Sequence, residues 1–177
     1  MDKRIRKTQK ALKQTILNLL QEKKIEEITV TDICEESEIV RRTFYAHYTD
    51  KYDLIEHIMD DYISDFIEIC HFKENVDFTL GNIKWFQYLY ENREVFNTLF
   101  RSSISSLFNR KLENIINEQI EIKLREDLMN NDLRKETLLK FLTSAVLGVM
   151  IDFTVSKDDD YETKADEVLF LLIPYFK

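Results

Sequence analysis

The stretch of sequence that decides the fold is ITVTDICEESEIVRRTFYAHYTDKYDL, residues 28–54. Near its start, Thr29 and Asp32 are three residues apart, a spacing typical of the capping box that opens an α-helix. The first six residues also alternate like a β-strand, but no comparable partner strand follows. The polar pair Ser37-Glu38 ends this helix, and a second short helix is predicted from about Val40 to Tyr48. Two short helices joined by a tight turn form a helix-turn-helix, whose second helix reads DNA.

The second of these helices carries side chains that suit DNA recognition. Val40, Phe44 and Tyr48 share one face at helical spacing, so they are expected to pack against the preceding helices. On the other faces, arginine can bond guanine bidentately, threonine can meet a base edge or a thymine methyl group, and tyrosine or histidine can hold a phosphate. The predicted DNA contacts on this helix are Arg41, Arg42, Thr43, Tyr45 and His47. The alternatives are a solvated face for the two arginines and a structural brace for His47.

The same 27 residues resemble the signature of the tetracycline-repressor (TetR) family of transcription regulators. In that signature, a threonine-capped helix with an Asp-Ile pair leads through a turn to Thr-Leu-Tyr-x-His-Phe-x-x-Lys. The matching residues are Thr29, Asp32, Ile33, Thr43, Tyr45, His47, Lys51 and Leu54, with Phe44 and Tyr48 as conservative variants. The resemblance implies that Lys51 contacts phosphate at the start of the fourth helix, and Thr31 completes the predicted DNA contacts.

Three positions depart from the family pattern. Glu38 replaces the usual turn glycine, so it must adopt an unfavourable backbone conformation or shift the turn. Val40 replaces the usual serine, and valine is a poor helix N-cap. Arg42 replaces a frequent small residue and adds charge to the DNA-facing side. These departures affect the operator sequence and the docking more than the fold.

The rest of the chain is predicted to be helical. Only 2 Gly and 1 Pro occur among 177 residues, so little interrupts helices or supplies tight turns. Apolar spacing predicts helices at about 3–23, 51–70, 76–91, 93–101, 104–129, 133–156 and 160–176, besides the two short ones. The expected architecture is all-α, with an N-terminal three-helix module at residues 1–48. A C-terminal domain of roughly six helices is expected at residues 49–177. The resemblance implies that this domain binds an effector and forms a dimer.

Charge is divided unevenly along the chain. Residues 1–51 hold 11 Lys/Arg and 9 Asp/Glu, a net of +2, whereas residues 52–177 hold 14 and 24, a net of −10. Six of the basic residues lie within the first 13 and face a single acid, Asp2. This basic arm is expected to neutralise phosphates, and the acidity belongs to the C-terminal domain.

The C-terminal domain is predicted to hold a ligand and a subunit interface. Its aromatic residues are dense, and aromatic walls suit an apolar or planar small-molecule effector. The predicted wall residues are Tyr62, Phe66, Trp85, Leu89, Phe100 and Phe141. The two closing helices are apolar on more than one face, which favours a homodimer, and Gly148 is a candidate for close backbone approach there.

Several function classes are disfavoured. No nucleophile-base pair, phosphate-binding glycine loop or metal-ligand cluster appears, so neither an enzyme nor a bound metal or cofactor is expected. His57 and Asp61 share a helix face without a clear third ligand, and a solvated acidic face explains them better. No run approaches the length of a membrane span, so the protein is expected in the cytoplasm, bound to double-stranded DNA. The alternative function is an adaptor or coactivator of this fold that responds to a protein partner.

Overall fold

The computed structural model describes residues 3–74, 78–129, 132–156 and 159–176. These residues form ten α-helices: α1 (Lys3–Glu22), α2 (Val30–Glu36), α3 (Arg41–Tyr45), α4 (Lys51–Glu74), α5 (Phe78–Glu91), α6 (Arg93–Arg101), α7 (Ser105–Lys123), α8 (Glu126–Met129), α9 (Asp132–Ser156) and α10 (Tyr161–Leu172). Two 3-10 turns lie at Ile25–Glu27 and Ile173–Tyr175. Within the described ranges the only β-type pairing is one isolated bridge, so the all-α prediction is confirmed.

The first three helices form around side chains buried at helical spacing. Leu12 and Ile16 of α1 are fully buried together with Ile33 of α2. The predicted capping box is confirmed: the backbone N–H of Asp32 donates to Thr29 Oγ1 at 3.1 Å, and the N–H of Thr29 donates to Asp32 Oδ2 at 2.8 Å. The hydrogen bond from the Thr29 backbone holds the pKa of the Asp32 carboxyl below its usual range. Helix α2 therefore begins where its side chains satisfy the free backbone N–H groups.

Helix α4 joins the N-terminal module to the rest of the molecule. Asp50 caps its start, accepting from the backbone N–H groups of Tyr52 at 2.8 Å and Asp53 at 2.9 Å. The helix runs to Glu74, four residues beyond its predicted end. Ion pairs tie it to neighbours on both sides, Lys13 of α1 with Asp61 and Lys111 of α7 with Asp60. A displacement of α4 would therefore disturb its contacts with both α1 and α7.

The helix predicted over residues 104–129 is broken, which corrects the sequence prediction. Helix α7 ends at Lys123, and Leu124 adopts an extended conformation. The break is stabilised from far along the chain, because Leu124 forms a β-bridge with Phe176 and the Arg125 N–H donates to the Tyr175 carbonyl at 3.0 Å. Local spacing could not reveal this pairing.

The last helix is also shorter than predicted at its C-terminal end, whereas α9 ends at Ser156 as predicted. Helix α10 ends at Leu172, and a 3-10 turn containing Pro174 follows it. Helix α10 packs on α5, where the buried Asn82 side chain donates to the Ala165 carbonyl at 2.5 Å. In α9, residues 134–156 are long and apolar enough to cross a membrane, with 44% of the apolar window buried. Core helices of soluble proteins share this composition, and the exposed part of α9 lies beside α10.

Candidate DNA interface and regulatory body

Helix α3 is anchored by two aromatic side chains beneath it. Phe44 is 0% exposed and Tyr48 is 2% exposed, and their ring centroids lie 5.9 Å apart. Both pack where the sequence pattern placed them. The helix itself is shorter than predicted, since it ends at Tyr45, and residues 46–47 continue it as a turn. The anchor leaves the opposite side of α3 free to contact another molecule.

Three of the predicted contact residues face solvent on this outer side. Arg41 and Arg42 are exposed, and Tyr45 is 52% exposed. No hydrogen bond or ion pair links either guanidinium to the parts of the chain that the structure describes. A guanidinium offers five N–H donors in a planar fork, so both arginines retain their full capacity to bond base edges or phosphates.

The other predicted residues on α2 and α3 are less accessible. Thr31, Thr43 and His47 are each partly buried. The His47 ring lies 6.3 Å from the Tyr48 ring, which suits a bracing role at the end of α3. Direct contact of these three residues with DNA stays a prediction.

In the turn between α2 and α3, the sequence predicted the unfavourable backbone conformation of Glu38 but not the exposure of Val40. Glu38 has a φ of 55°, so a glutamate occupies the left-handed conformation that favours glycine. Val40 was expected to pack inward, but it is 69% exposed. As the N-cap it lies before the first turn of α3 with an extended backbone, and its side chain is directed away from the packed face. The prediction for Val40 was wrong because helical spacing does not extend to a residue with non-helical angles.

Lys51 lies at the start of α4 with its ammonium group on protein carbonyls. Its Nζ donates to Ile25 at 2.6 Å, Ile28 at 2.6 Å and Glu26 at 3.2 Å. These three acceptors occupy the three donors of an ammonium group. In this structure Lys51 therefore braces the 3-10 turn between α1 and α2, and its contact with phosphate stays a prediction.

The 3-10 turn also contacts the body of the molecule. The Ile25 N–H donates to Ser103 Oγ at 3.1 Å, and the Gln21 side chain donates to Thr98 Oγ1 at 3.3 Å. Sequence reasoning missed this link between α1 and α6, because neither the 3-10 turn nor its partners carry a local signal. The N–H of Ile25 consequently bonds the body, and the carbonyl oxygen of Ile25 accepts a hydrogen bond from Lys51.

The basic arm lies on α1. Lys3, Arg6, Lys7 and Lys10 are exposed, whereas Lys13 is partly buried and paired with Asp61. The exposed members place positive charge on the solvent-facing side of α1. Lys13 instead links α1 to α4.

The body interior is a closely packed aromatic cluster, which contains five of the six predicted ligand-wall residues. Phe66 contacts Trp85, Tyr88 and Phe96 edge to face at centroid distances of 5.2–5.8 Å. The five are Tyr62, Phe66, Trp85, Leu89 and Phe100, of which all but the partly buried Tyr62 are buried. Burial raises the pKa of the Tyr88 hydroxyl, which donates to Asp65 at 2.5 Å. A ligand among these residues would have to separate rings that now touch.

Phe141 is not part of this cluster. It is 63% exposed on α9, so its placement in an internal ligand wall does not fit the structure. It lines a shallow apolar cavity of about 240 Å³ between α9 and α10, together with Leu171. Helical periodicity alone cannot distinguish an inward aromatic from one that faces outward on a helix apolar over more than one face.

Several apolar side chains are exposed on α9, on α10 and in the 3-10 turn after it. Phe170 is 76% exposed, Leu171 63% and Ile173 58%, and Leu171 lines the same cavity as Phe141. Gly148 of α9 is exposed, and a Cβ added there would meet nothing within 4 Å in the described chain. An apolar surface of this kind is typical of a protein interface.

Comparisons with known proteins agree with this architecture. A TetR-type family model, described as a transcriptional regulator C-terminal region, matches residues 77–169, more than half of the chain. The HTH-type dhaKLM operon transcriptional activator DhaS of Lactococcus lactis is 22% identical over 176 residues, covering 96% of this chain and 91% of its own. A solved TetR transcriptional regulator from Streptococcus agalactiae is 22% identical, with a TM-score of 0.69 over 97% of this chain and 96% of that one. The solved SmeT–triclosan complex is 15% identical, with a TM-score of 0.66 over 96% and 92%.

Proposed function

Because the chain belongs to the TetR family of transcriptional regulators, we propose that it is a ligand-responsive repressor that binds a palindromic operator as a homodimer. The observation that carries the proposal is the outer side of α3. There Arg41, Arg42 and Tyr45 face solvent over the Phe44–Tyr48 anchor, and neither guanidinium is engaged within the described chain. Two such helices related by a two-fold axis would enter successive major grooves.

The closing helices support the homodimer. Phe170 and Leu171 are mostly exposed in the single subunit, and a four-helix interface between two α9–α10 pairs would cover them. Gly148 would allow the partner's backbone to approach α9 closely. A symmetric DNA site requires this two-fold arrangement.

The proposed effector acts on the aromatic cluster. Tyr62 and Phe66 lie on α4, the helix that begins at Lys51 beside the DNA-binding module. A ligand that parts the rings would shift α4, and it can change operator affinity only by the difference in its affinity for the two arrangements, commonly about 1–3 kcal/mol. The neighbour solved with triclosan supports an aromatic effector for a protein of this fold.

One observation favours a second candidate function, an adaptor or coactivator that responds to a protein partner. Among the described residues, the aromatic rings around Phe66 and Phe96 pack directly against one another, with centroids 5.2–6.0 Å apart. A signal from a protein partner would not require this cluster to open. The two candidates share DNA binding and differ in the chemistry of the signal.

Genomic binding-site capture with the full-length protein tests the proposal. We expect enrichment of a palindromic sequence whose binding weakens steeply as salt rises. Phe170→Glu should yield monomers by light scattering and lose operator binding, while Ile122→Glu, at an exposed apolar residue of α7, should leave the dimer intact. Absence of any enriched sequence would contradict the proposed function.

A thermal-shift screen with apolar and planar compounds distinguishes the two candidates. A compound that stabilises the protein and changes operator affinity supports the repressor. If stabilising compounds leave operator affinity unchanged while a co-purified protein changes it, the adaptor is supported instead.

A further inference from the structure

Two apolar side chains are more than two-thirds exposed among the described residues: Phe170 at 76% and Val40 at 69%. The proposed subunit interface would cover Phe170. Val40 lies elsewhere, at the N-cap of α3, outside that interface. Its neighbours on the same exposed surface are Arg41, Arg42 and Tyr45.

The N-cap position makes this exposure unusual, because a valine contributes nothing to the cap. No side-chain hydrogen bond from the described residues closes the start of α3, as is also the case at Asn92 of α6 and Ile104 of α7, whereas Thr29 caps α2 and Asp160 caps α10 through their side chains. Replacing a capping residue by an aliphatic one typically costs about 1 kcal/mol of stability. Val40 is therefore unfavourable for the isolated protein on two grounds, its exposure and its missing cap.

The surface where Val40 lies is the one offered to DNA. The first residues of a recognition helix are those that reach base edges in the major groove. The only apolar group that the major groove presents is the C5-methyl of thymine, and small aliphatic side chains contact it. The two methyl groups of Val40 match this chemistry, and they could not bond any other base feature.

We propose that Val40 reads a thymine methyl group in each half-site of the operator, a specificity contact that rests on the proposed DNA-binding function. Arg41 and Arg42 supply hydrogen bonds to neighbouring bases or phosphates. Val40 adds an apolar contact that favours thymine over cytosine at one position, and burial on DNA removes its exposed surface from water.

The test removes the methyl group from the DNA without changing any hydrogen bond. After the operator has been selected with wild-type protein, each thymine is replaced by uracil at symmetric positions of both half-sites, one pair at a time. We expect one pair to weaken wild-type binding by about fourfold for each half-site, the factor for one buried methyl-sized group. Uracil pairs at positions where the protein contacts no thymine methyl group should leave operator affinity unchanged.

Variants of Val40 complete the cycle. Val40→Ser removes both methyl groups and offers a capping hydroxyl, so it should raise the melting temperature while losing the thymine–uracil difference at that pair. Val40→Ile keeps a β-branched aliphatic side chain and should retain the difference. Ile122→Ser, a matched change at an exposed residue of α7, should leave all uracil effects as in wild type.

The outcomes separate this proposal from the function on which it rests. If wild-type protein binds its operator but Val40→Ser keeps every thymine–uracil difference, or none exists, the Val40 contact is overturned and the DNA-binding function stands. If selection yields no operator at all, both fail. Loss of one thymine–uracil difference on Val40→Ser, with the protein folded by its melting curve, supports the contact.

Discussion

The Nζ atom of Lys51 lies 2.6 Å from the carbonyl oxygen of Ile28, at the point where the helix-turn-helix meets α4. The same ammonium group bonds Ile25 at 2.6 Å. A charged donor thus bonds carbonyls at the first residue and at the C-cap of the 3-10 turn Ile25–Glu27. This relationship connects the first turn of α4 to the segment that positions α2.

We expect Lys51→Met to destabilise the protein. Removing the ammonium removes its hydrogen bonds to the partly buried carbonyls of Ile25 and Ile28, a loss of about 1–3 kcal/mol. Urea unfolding of the variant and of wild type measures this loss of stability. Lys7→Met, at an exposed lysine of α1, is the control. A midpoint equal to that of wild type would contradict the bracing role. If Lys51 also contacted phosphate, Lys51→Met would flatten the salt dependence of operator binding by about one unit for each lost contact.

Ser103→Ala should weaken the link between the body and the DNA-binding module. The variant removes the acceptor of the Ile25 N–H, which costs roughly 1 kcal/mol of stability. It should also reduce the effect of a bound effector on operator affinity, because one route between the domains is lost. Operator titrations with and without effector measure this coupling, with Ser106→Ala on the exposed side of α7 as the control. Unchanged coupling would mean that the Ile25–Ser103 bond does not carry the signal.

Replacing the exposed arginines should alter base preference. Arg41→Ala or Arg42→Ala is expected to weaken operator binding by about 1–3 kcal/mol for a bidentate contact with guanine, with relaxed preference at one base position in each half-site. Titration against the operator and its single-base variants gives both quantities. Arg110→Ala, an exposed arginine of α7, provides the control. If both arginine variants bind like wild type, α3 is not the reading helix.

Glu38→Gly should stabilise the fold. With φ at 55°, Glu38 carries the steric cost of the left-handed conformation, about 1 kcal/mol, which glycine does not. Glu38→Ala retains that cost but removes the carboxylate, so comparing the two separates strain from charge. Both variants should bind non-specific DNA more tightly, since a negative charge beside the proposed interface is gone. A lower melting temperature for Glu38→Gly would count against strain at this turn.

Tyr48→Phe should stabilise the protein by roughly 1 kcal/mol, since the buried Tyr48 hydroxyl has no hydrogen-bond partner in the described chain. Burial also raises the pKa of Tyr48 from 10.0 to about 12. As the pH rises from 10.0 to about 12, the Tyr48 hydroxyl ionises in the unfolded chain but stays mostly neutral in the folded protein. The free energy of unfolding therefore decreases over this range. The variant should show a shallower alkaline decline. Tyr45→Phe, at an exposed hydroxyl, should match wild type, and a steeper decline in Tyr48→Phe would refute the assignment.

Local sequence was sufficient wherever a feature depends on neighbours in the chain. The Thr29–Asp32 capping box, the inward Phe44 and Tyr48, the outward arginines and the strained Glu38 were all predictable, because caps, helical spacing and turn angles involve residues a few positions apart. The scarcity of glycine and proline likewise determined that the chain is helical.

Tertiary structure alone decided the features that join distant residues. The bridge from Leu124 to Phe176 breaks a segment whose spacing is helical, and the bonds from Ile25 to Ser103 and Lys51 tie the DNA-binding module to the body. Packing also directed Phe141 outward. A pattern of apolar residues specifies that a side chain needs a cover, but the partner that supplies it is chosen only when separate segments meet in space.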